Sequence, residues 1–270
     1  MTRVSDAETR VLVSGATGRM GRRVIGEAAA RDDVRVVAGV SRDLSVEIDG
    51  TPVEPAEEFR FVLAEYEPDV LVDFSVPEAS REFVTDCAEA DVACVVGTTG
   101  FSGIESTEDE FAEGGLAALR EASEQVPVLR ASNFSRGIQA LLRAVEGAVR
   151  DLPGYDVEVT ESHHRHKRDA PSGTANSILD RIESAGEFDR RVHGREGDSL
   201  REPGELGVHS RRAGGIRGEH EILLANAHEE LRLTHRAGSR AVFADGALDA
   251  AVWLAGRGAG QYDFSEVVAE

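Results

Sequence analysis

The stretch 11-VLVSGATGRMG-21 decides the fold of the first half of the chain. Residues 11–15 form a short apolar run that ends in glycine, and residues 19–30 are rich in the Arg, Met, Ile and Ala of a helix. The spacing predicts a strand-to-helix turn, in which Gly15 permits the sharp bend and Gly18 lets backbone N–H groups approach a pyrophosphate. The partial positive charge of the helix N-terminus would favour the same anion. The stretch therefore predicts a dinucleotide site, with a plain strand-to-helix turn as the alternative.

Val-rich runs recur along the first half and predict the other strands of one sheet. Continuous apolar strands that alternate with helices are typical of a parallel sheet covered on both faces. We therefore predict an α/β fold with an N-terminal Rossmann-like, doubly wound parallel sheet. The runs are 34-VRVVAGVS-41, 70-VLVDFS-75, 92-VACVVGTT-99 and 126-VPVLRA-131, and the helical stretches lie around 78–90 and 105–124.

The pattern changes near residue 132, which predicts a second, α+β domain. Partial alternation of apolar and polar residues predicts a mostly antiparallel sheet, with one face buried and one available to a partner. A charged, Gly-rich segment at 186–205 predicts a surface loop. Helices are expected at 137–150, 174–185 and 241–256, the last with the only tryptophan, and strands at 155–162, 206–212, 219–226 and 229–236.

The charge of the chain limits its partners. It carries 50 acidic and 30 basic side chains, a net charge of −20, which argues against nucleic acid and anionic membranes as partners. An acid excess with a single lysine indicates either an ordinary acidic protein or adaptation to high salt. We favour salt adaptation, because ions screen the self-repulsion, and we then expect the melting temperature to rise with KCl concentration.

The sequence predicts a cytoplasmic protein without a disulfide or a metal site. Cys87 and Cys94 are expected to be buried thiols, since no CxxC pair occurs. The N-terminus lacks the apolar stretch of a signal peptide, and no apolar run approaches the roughly 18 residues that span a bilayer.

The ends of the predicted strands carry candidate cofactor contacts. Ser41 and Arg42 follow the second strand, where an NAD site would place an acid for the ribose hydroxyls. The serine adds no repulsive charge and the arginine can pair with a 2′-phosphate, so we expect NADPH in preference to NADH. The alternative is that Arg42 is one more solvated arginine. The stretches 97-GTTG-100 and 131-ASNF-134 end further strands and either line the nicotinamide and ribose or form ordinary turns.

The cluster 161-ESHHRHKRDAPSGTA-175 predicts an anion site. Its histidines fit zinc poorly, because the adjacent His163 and His164 point to opposite sides of a strand and no distant Cys or His pair completes a set. Backbone N–H groups at the helix start 172-SGT-174 would bind a carboxylate. An exposed basic loop is the alternative.

Lys167, within this cluster, is the only lysine of the chain. An arginine, with a pKa above about 12, does not deliver a proton at neutral pH, whereas neighbouring positive charge can lower the pKa of a lysine. The nearby histidines add groups that titrate near neutral pH. We interpret the cluster as one that binds an anionic substrate and protonates it.

These stretches resemble the dihydrodipicolinate reductase family, also called 4-hydroxy-tetrahydrodipicolinate reductases. The run 161–175 matches the family's signature almost letter for letter, and the resemblance covers essentially the whole chain. The other matching stretches are GATGRMG at 15–21, GTTGF at 97–101, ASNFS at 131–135, RGEH at 217–220, THRAGSR at 234–240, FADGAL at 243–248 and AVWLAG at 251–256.

The resemblance implies a role for each matched residue. His163 would be a proton donor or acceptor, Lys167 a proton donor and His164 a substrate contact. The substrate carboxylate would be held by Ser172, Gly173 and Thr174, with Arg240 as a further contact. The cofactor contacts would be Gly15, Ala16, Thr17, Gly18, Arg19, Met20, Gly97, Thr98, Thr99, Ala131, Ser132, Asn133 and Phe134, and Ser41 and Arg42 would join them because of their position after the second strand.

The resemblance also implies the domain organisation and the reaction. Residues 1–132 and 241–270 would form the dinucleotide-binding domain, and residues 133–240 a domain for substrate binding and homotetramer assembly, with hinges near 132 and 241. The implied reaction is the NAD(P)H-dependent reduction of 4-hydroxy-tetrahydrodipicolinate to tetrahydrodipicolinate, on the diaminopimelate route to lysine. Many family members carry an acid where this chain has Ser41, so this departure strengthens the NADPH expectation.

Two other functions stay open at this point. One is a reductase of another anionic imine or carbonyl compound, such as a semialdehyde. An acylating semialdehyde dehydrogenase would need a nucleophilic cysteine at a helix start, a setting that neither Cys87 nor Cys94 has. The other is a non-catalytic NADPH-binding regulator, against which the joint presence of His163 and Lys167 argues.

Overall fold

The computed structural model describes residues 8–42, 47–101 and 116–270. Strands and helices alternate along most of this length. In chain order they are β1 (Thr9–Ser14), α1 (Arg19–Ala28), β2 (Val34–Ser41), β3 (Glu47–Ile48), β4 (Thr51–Pro55), α2 (Phe59–Tyr66), β5 (Val70–Asp73), α3 (Pro77–Glu89), β6 (Ala93–Val96), α4 (Ala117–Ser123), β7 (Pro127–Arg130), α5 (Arg136–Asp151), β8 (Asp156–His163), α6 (Gly173–Ala185), β9 (Arg190–His193), β10 (Glu205–Arg212), β11 (Glu219–Ala225), β12 (Glu230–Arg236), α7 (Ala241–Leu254), β13 (Gly260–Tyr262) and α8 (Phe264–Ala269).

The first sheet has the strand order β13-β7-β6-β5-β1-β2-β4-β3. Its pairs are parallel, apart from the short antiparallel pair β3–β4. The order reverses at β1, which has β2 on one side and β5 on the other. This topology confirms the predicted doubly wound sheet, and it brings the carboxyl ends of β1, β2, β5, β6 and β7 to one edge.

Helices cover both faces of this sheet, which explains the continuous apolar runs of its strands. On one face α1, α7 and α8 pack against β1 and β5 through Val24, Leu248 and Phe264. On the other face α2, α3 and α4 pack through Phe59, Phe83 and Leu119. Part of the helix predicted at 105–124 lies outside the described residues, and α4 is its described portion.

The chain divides into two compact units, between Phe134 and Ser135 and again between Ser239 and Arg240. The first unit therefore extends two residues beyond the expected position 132. Phe134 belongs to it because its buried ring contacts Phe74 and Phe264, with ring centroids 5.9 and 5.2 Å apart.

The second unit, Ser135–Ser239, contains a five-stranded sheet in the order β12-β11-β8-β10-β9. Helices α5 and α6 cover one of its faces, where Ile138 and Ile178 pack against Val159 and Ile222. Strand β11 alternates buried and half-buried residues, as the sequence pattern predicts. The structure confirms the predicted α+β character of this part of the chain.

Two features of this sheet differ from the sequence-based expectation. Strand β10 was expected to pair antiparallel with its neighbours. It does run antiparallel to β11, but β8 lies between the two, and β10 forms parallel pairs with β8 and β9. The prediction of a loop throughout 186–205 was wrong for β9. This strand has no apolar alternation, because Arg190 and Arg191 make ion pairs, with Glu202 and Glu205 and with Asp180 and Glu183.

Among the described helices, none combines the length and apolar character that crossing a bilayer requires.

Candidate active site

The glycine turn between β1 and α1 is shaped by close backbone contacts. Gly15 has a φ of 66°, and a Cβ at this position would lie 2.4 Å from the carbonyl oxygen of Phe74. Gly18 donates its N–H to the Gly15 carbonyl at 2.9 Å and caps α1 without a side chain. A Cβ at Gly21 would lie 2.2 Å from the Gly15 carbonyl oxygen. The three glycines thus let this turn pack closely against itself and against Phe74, the compact geometry that a dinucleotide turn requires.

The end of β2 is joined to this turn by two hydroxyl groups. Ser41 Oγ lies 2.6 Å from Thr17 Oγ1, and Ser41 is buried, whereas Arg42 is exposed. A neutral hydroxyl pair therefore stands where an acidic side chain would hold the ribose hydroxyls of NAD.

Asp73, at the end of β5, is a buried residue that sequence reasoning missed. Its carboxylate accepts hydrogen bonds from the hydroxyls of Ser14, Ser80 and Thr98 and from the N–H of Ser75. These bonds tie three strand ends to the first turn of α3. The available signal was an acid closing an apolar strand, 70-VLVD-73.

The predicted cofactor stretch 97-GTTG-100 follows β6 at the same sheet edge. A Cβ at Gly97 would lie 2.2 Å from the Phe74 ring, so only glycine fits there without displacing the ring. The Thr98 hydroxyl donates to Asp73 at 2.6 Å and accepts from the N–H of Ser75 at 3.0 Å. Thr98 can therefore meet a cofactor through its backbone rather than its side chain.

The stretch 131–134 follows β7 at this edge. Ala131 and Phe134 are buried, Asn133 is half-buried and Ser132 is exposed. The structure thus brings the predicted cofactor residues of the first unit to one edge of one sheet.

In the second unit, His163 ends β8 and is held by a buried carboxylate. Its Nδ1 lies 2.5 Å from Glu161 Oε2, and Arg212 on β10 donates to both oxygens of Glu161, at 2.6 and 2.8 Å. Burial alone would raise the pKa of Glu161, but the bonds from His163 and Arg212 outweigh burial and lower that pKa to about 2. Glu161 is therefore ionised at neutral pH, which makes it an acceptor only.

Lys167 lies in the loop after β8, where its ammonium group pairs with a neighbour. Its Nζ is 2.9 Å from Asp169 Oδ2, and its backbone N–H donates to the backbone carbonyl of His164 at 3.1 Å. Burial would raise the pKa of Asp169, but Lys167 outweighs burial and lowers it. Arg212 donates to the Asp169 carbonyl at 2.5 Å and so connects this loop to Glu161.

The start of α6 carries the predicted carboxylate site. Ser172 caps the helix by accepting from the N–H of Ala175 at 3.1 Å, and its buried hydroxyl lies 3.3 Å from Nε2 of His220. Gly173 is exposed and Thr174 is half-buried. The predicted anion site therefore has Gly173 and Thr174 at its surface and Ser172 behind them.

His220, on β11, is a second residue that sequence reasoning did not assign, although it lies in the matched stretch 217–220. Its ring is buried, with its centroid 5.4 Å from that of His163. Burial, with the positive charge of His163, lowers the pKa of His220 to about 4. The ring is therefore neutral near pH 7 and can serve Ser172 as a hydrogen-bond partner.

Arg240 is placed differently from the sequence-based expectation, which assigned it to the domain 133–240. It caps α7 and belongs to the first unit, since its carbonyl accepts from the N–H of Phe243 at 3.1 Å within the first turn of that helix.

The chain is similar to known families and to individual proteins over nearly its whole length. Two family models match: the N-terminus of dihydrodipicolinate reductase over residues 9–134 and the C-terminus of dihydrodipicolinate reductase over residues 137–268. A 4-hydroxy-tetrahydrodipicolinate reductase of Natronomonas pharaonis is 53% identical over 259 residues, which are 96% of this chain and 99% of that protein. One of Haloarcula marismortui is 50% identical over 260 residues, again 96% and 99% of the two chains.

A solved structure has the same fold. It is a dipicolinate-bound dihydrodipicolinate reductase from Paenisporosarcina sp. TG-14, with a TM-score of 0.75 and 23% sequence identity over 95% of this chain and 98% of that one.

Proposed function

Because the chain belongs to the dihydrodipicolinate reductase family, we propose that it reduces 4-hydroxy-tetrahydrodipicolinate to tetrahydrodipicolinate with NAD(P)H, in lysine biosynthesis through diaminopimelate. The observation that carries the proposal is the identity of about half of all positions with two named reductases, across both units of the chain. The glycine turn and the cluster around His163 supply the two chemical functions that this reaction needs.

The first unit binds the cofactor in this proposal. The backbone at Gly15 and Gly18 would hold the pyrophosphate, and the strand ends at 97–99 and 131–134 would line the nicotinamide and its ribose. When bound, the reduced cofactor supplies the hydride. The tight glycine turn at the start of α1 fits this group, because the helix N-terminus after Gly18 offers backbone N–H groups and a partial positive charge to the phosphates.

The second unit binds and protonates the substrate. The start of α6 at Gly173 and Thr174, with His164 and Lys167, would hold the carboxylates of the ring. In a chain with a net charge of −20, this basic cluster also concentrates an anionic substrate locally. His163 or Lys167 then gives a proton to the electron-rich ring that results when the hydroxyl has left as water and the hydride has been added.

The proposal is tested by the oxidation of NADPH in the presence of freshly generated substrate. We expect wild-type activity, and large losses for His163→Ala and Lys167→Ala. His166→Ala and Arg168→Ala, at exposed positions of the same loop, are matched controls that should stay active. A wild-type protein that does not oxidise NADPH with this substrate would reject the proposed reaction.

We favour this reaction over the two other candidates. Cys87 is fully buried, and burial raises the pKa of its thiol well above the usual value, so it does not suit acylating dehydrogenase chemistry. A non-catalytic regulator would have no use for a histidine held by Glu161 and Arg212. A reductase of another anionic imine is distinguished by turnover of that compound in preference to 4-hydroxy-tetrahydrodipicolinate.

We further propose a preference for NADPH, a homotetrameric assembly and a cytoplasmic location. The hydroxyl pair of Thr17 and Ser41, with the exposed Arg42 beside it, suits a 2′-phosphate better than an acid would. The face of the second sheet with Glu221, Leu223 and Ala225 is opposite to the one that α5 and α6 cover, and we assign it to the subunit contact. Light scattering of the purified protein tests the tetramer, and cell fractionation tests the location.

A further inference from the structure

Glu161 is buried in a place where a negative charge opposes the binding of an anionic substrate. Its side chain has no exposed surface, and both oxygens accept from Arg212 while one also accepts from His163. Since the substrate is itself an anion in the proposed function, this carboxylate serves something other than binding.

We propose that Glu161 and Arg212 are positioning residues, which hold the His163 ring with Nδ1 protonated and Nε2 turned to the reacting substrate. This inference rests on the proposed reaction. An ionised carboxylate only accepts hydrogen bonds, so Nδ1 of His163 must be protonated and donate its N–H to Glu161. Nε2 is then the nitrogen that exchanges a proton with the substrate, and Arg212 keeps the carboxylate fixed and neutralised.

The surroundings of His163 are consistent with a fixed ring. A Cβ at Gly218 would lie 3.2 Å from Nε2, so the glycine keeps the space next to this nitrogen clear of a side chain. The ring of His220 packs against His163 nearly at right angles, with an interplanar angle of 74°. His163 is therefore held from two sides while Nε2 stays accessible.

Arg212 extends this arrangement to the loop of Lys167. It donates to the carbonyl of Asp169, whose carboxylate pairs with Lys167. The charged and titratable groups around His163 are therefore Glu161 on its own strand, Arg212 on β10, His220 on β11 and Lys167 in the loop. The loss of Arg212 should disturb both candidate proton donors, whereas the loss of the Glu161 charge should disturb His163 alone.

The test compares Glu161→Gln with Glu158→Gln in the full-length enzyme. Glu158 lies on the same strand and also pairs with an arginine and a histidine, Arg201 and His209, but it is on the opposite face of the sheet. We expect Glu161→Gln to lower kcat roughly 100-fold with little change in KM for the substrate. This is the loss in kcat expected when a general acid or base no longer acts. Glu158→Gln should keep wild-type kcat, and Glu161→Asp, which retains the charge, should recover part of the loss.

Two readouts separate positioning from a merely structural effect. Because the amide in Glu161→Gln can also donate to Nδ1, it no longer selects one tautomer of His163, and the pH profile of kcat should change its shape, whereas Glu158→Gln should keep the wild-type profile. Arg212→Gln should raise KM as well as lower kcat, since it leaves the negative charge of Glu161 unpaired beside the substrate. An unchanged pH profile in Glu161→Gln, or equal kcat in Glu161→Gln and Glu158→Gln, would overturn the inference.

A measurement without substrate keeps this inference separate from the proposed reaction. Nitrogen-15 NMR of labelled histidine reports which ring nitrogen of His163 carries the proton. We expect Nδ1–H in the wild type and an appreciable share of Nε2–H in Glu161→Gln, because an amide can also donate to Nδ1. A neutral His163 ring protonated at Nε2 instead of Nδ1 in the wild type would overturn the positioning role even if the enzyme is active, whereas an inactive wild type with Nδ1–H would contradict only the proposed reaction.

Discussion

Replacement of Lys167 by arginine tests why a chain that otherwise uses arginine has a lysine at this one position. Lys167→Arg keeps the positive charge and can keep the ion pair with Asp169, which joins Nζ and Oδ2 at 2.9 Å. If the side chain only binds an anion, arginine should replace it well. If it gives a proton, arginine should fail, because its pKa above about 12 makes it a poor acid at neutral pH.

The magnitudes of the two effects differ enough to decide. The Lys167–Asp169 pair is partly exposed, with 23% and 56% of the two side chains accessible, so its contribution to stability is about 0.2–1 kcal/mol, most of which arginine retains. A lost general acid lowers kcat by about 10²-fold or more, equivalent to about 2.7 kcal/mol in the activation free energy. We therefore expect an unchanged melting temperature and a kcat reduced roughly 100-fold, with KM within a few-fold of wild type.

The assay is NADPH oxidation with saturating substrate, and the sequence offers an internal control. Arg168→Lys places a lysine at the next, exposed position, and the double variant Lys167→Arg with Arg168→Lys moves the lysine by one residue at constant composition. Arg168→Lys should be active and the double variant should be as slow as Lys167→Arg. A kcat within about threefold of wild type in Lys167→Arg would refute proton donation by this side chain.

Three further predictions concern the cofactor, acid stability and the thiols. Ser41→Asp should lower kcat/KM for NADPH at least about tenfold relative to kcat/KM for NADH, because a carboxylate repels the 2′-phosphate. Steady-state kinetics with both cofactors measure this ratio, and an unchanged ratio would contradict the assignment of Ser41. Burial lowers the pKa of folded His220 to about 4, below its unfolded value, so protonation of His220 favours unfolding. As the pH falls from about 6.5 to about 4, the wild type should lose up to about 3 kcal/mol of stability relative to His220→Gln. Urea-unfolding midpoints that change with pH by the same amount in the two proteins would contradict this. Cys87 and Cys94 are fully buried, so neither should react with a thiol reagent before unfolding, and rapid labelling of the native protein would show that the core around them is open.

Local patterns were enough to predict the strands whose ends carry the proposed cofactor residues. Strands β5, β6 and β7 are short, fully buried runs, and β1 is buried except at Arg10, so their Val-rich sequences and the polar residues at their carboxyl ends were sufficient. The edge strand β9 was missed because its side chains, such as Arg190, are satisfied by ion pairs instead of an apolar face. An arginine-rich segment without apolar periodicity gives no sequence signal that distinguishes a strand paired with β10 from a surface loop.

The partners of the candidate catalytic residues could not be predicted, because they come from distant segments. Glu161 and Arg212 are 51 residues apart, and they meet only because β8 and β10 pair in a register that sets Arg212 opposite His163. Asp73 likewise binds Ser14 across 59 residues and Thr98 across 25. Such contacts depend on strand register, which one sequence without its fold does not specify.

The charges around His163 are balanced although two acids lie there, the buried Glu161 and the exposed Asp169. The negative charge of Glu161 is matched by the bidentate Arg212, and that of Asp169 by Lys167. Each acid is therefore neutralised by its own cation, and together the pairs add little net field to repel the substrate. These pairs also fix the geometry of the site. Glu161 determines which nitrogen of His163 is protonated, and Arg212 determines where the Glu161 carboxylate lies. In the proposed function, His164, Lys167 and the backbone at the start of α6 hold the carboxylates of the ring, whereas Glu161 and Arg212 hold the ring of His163.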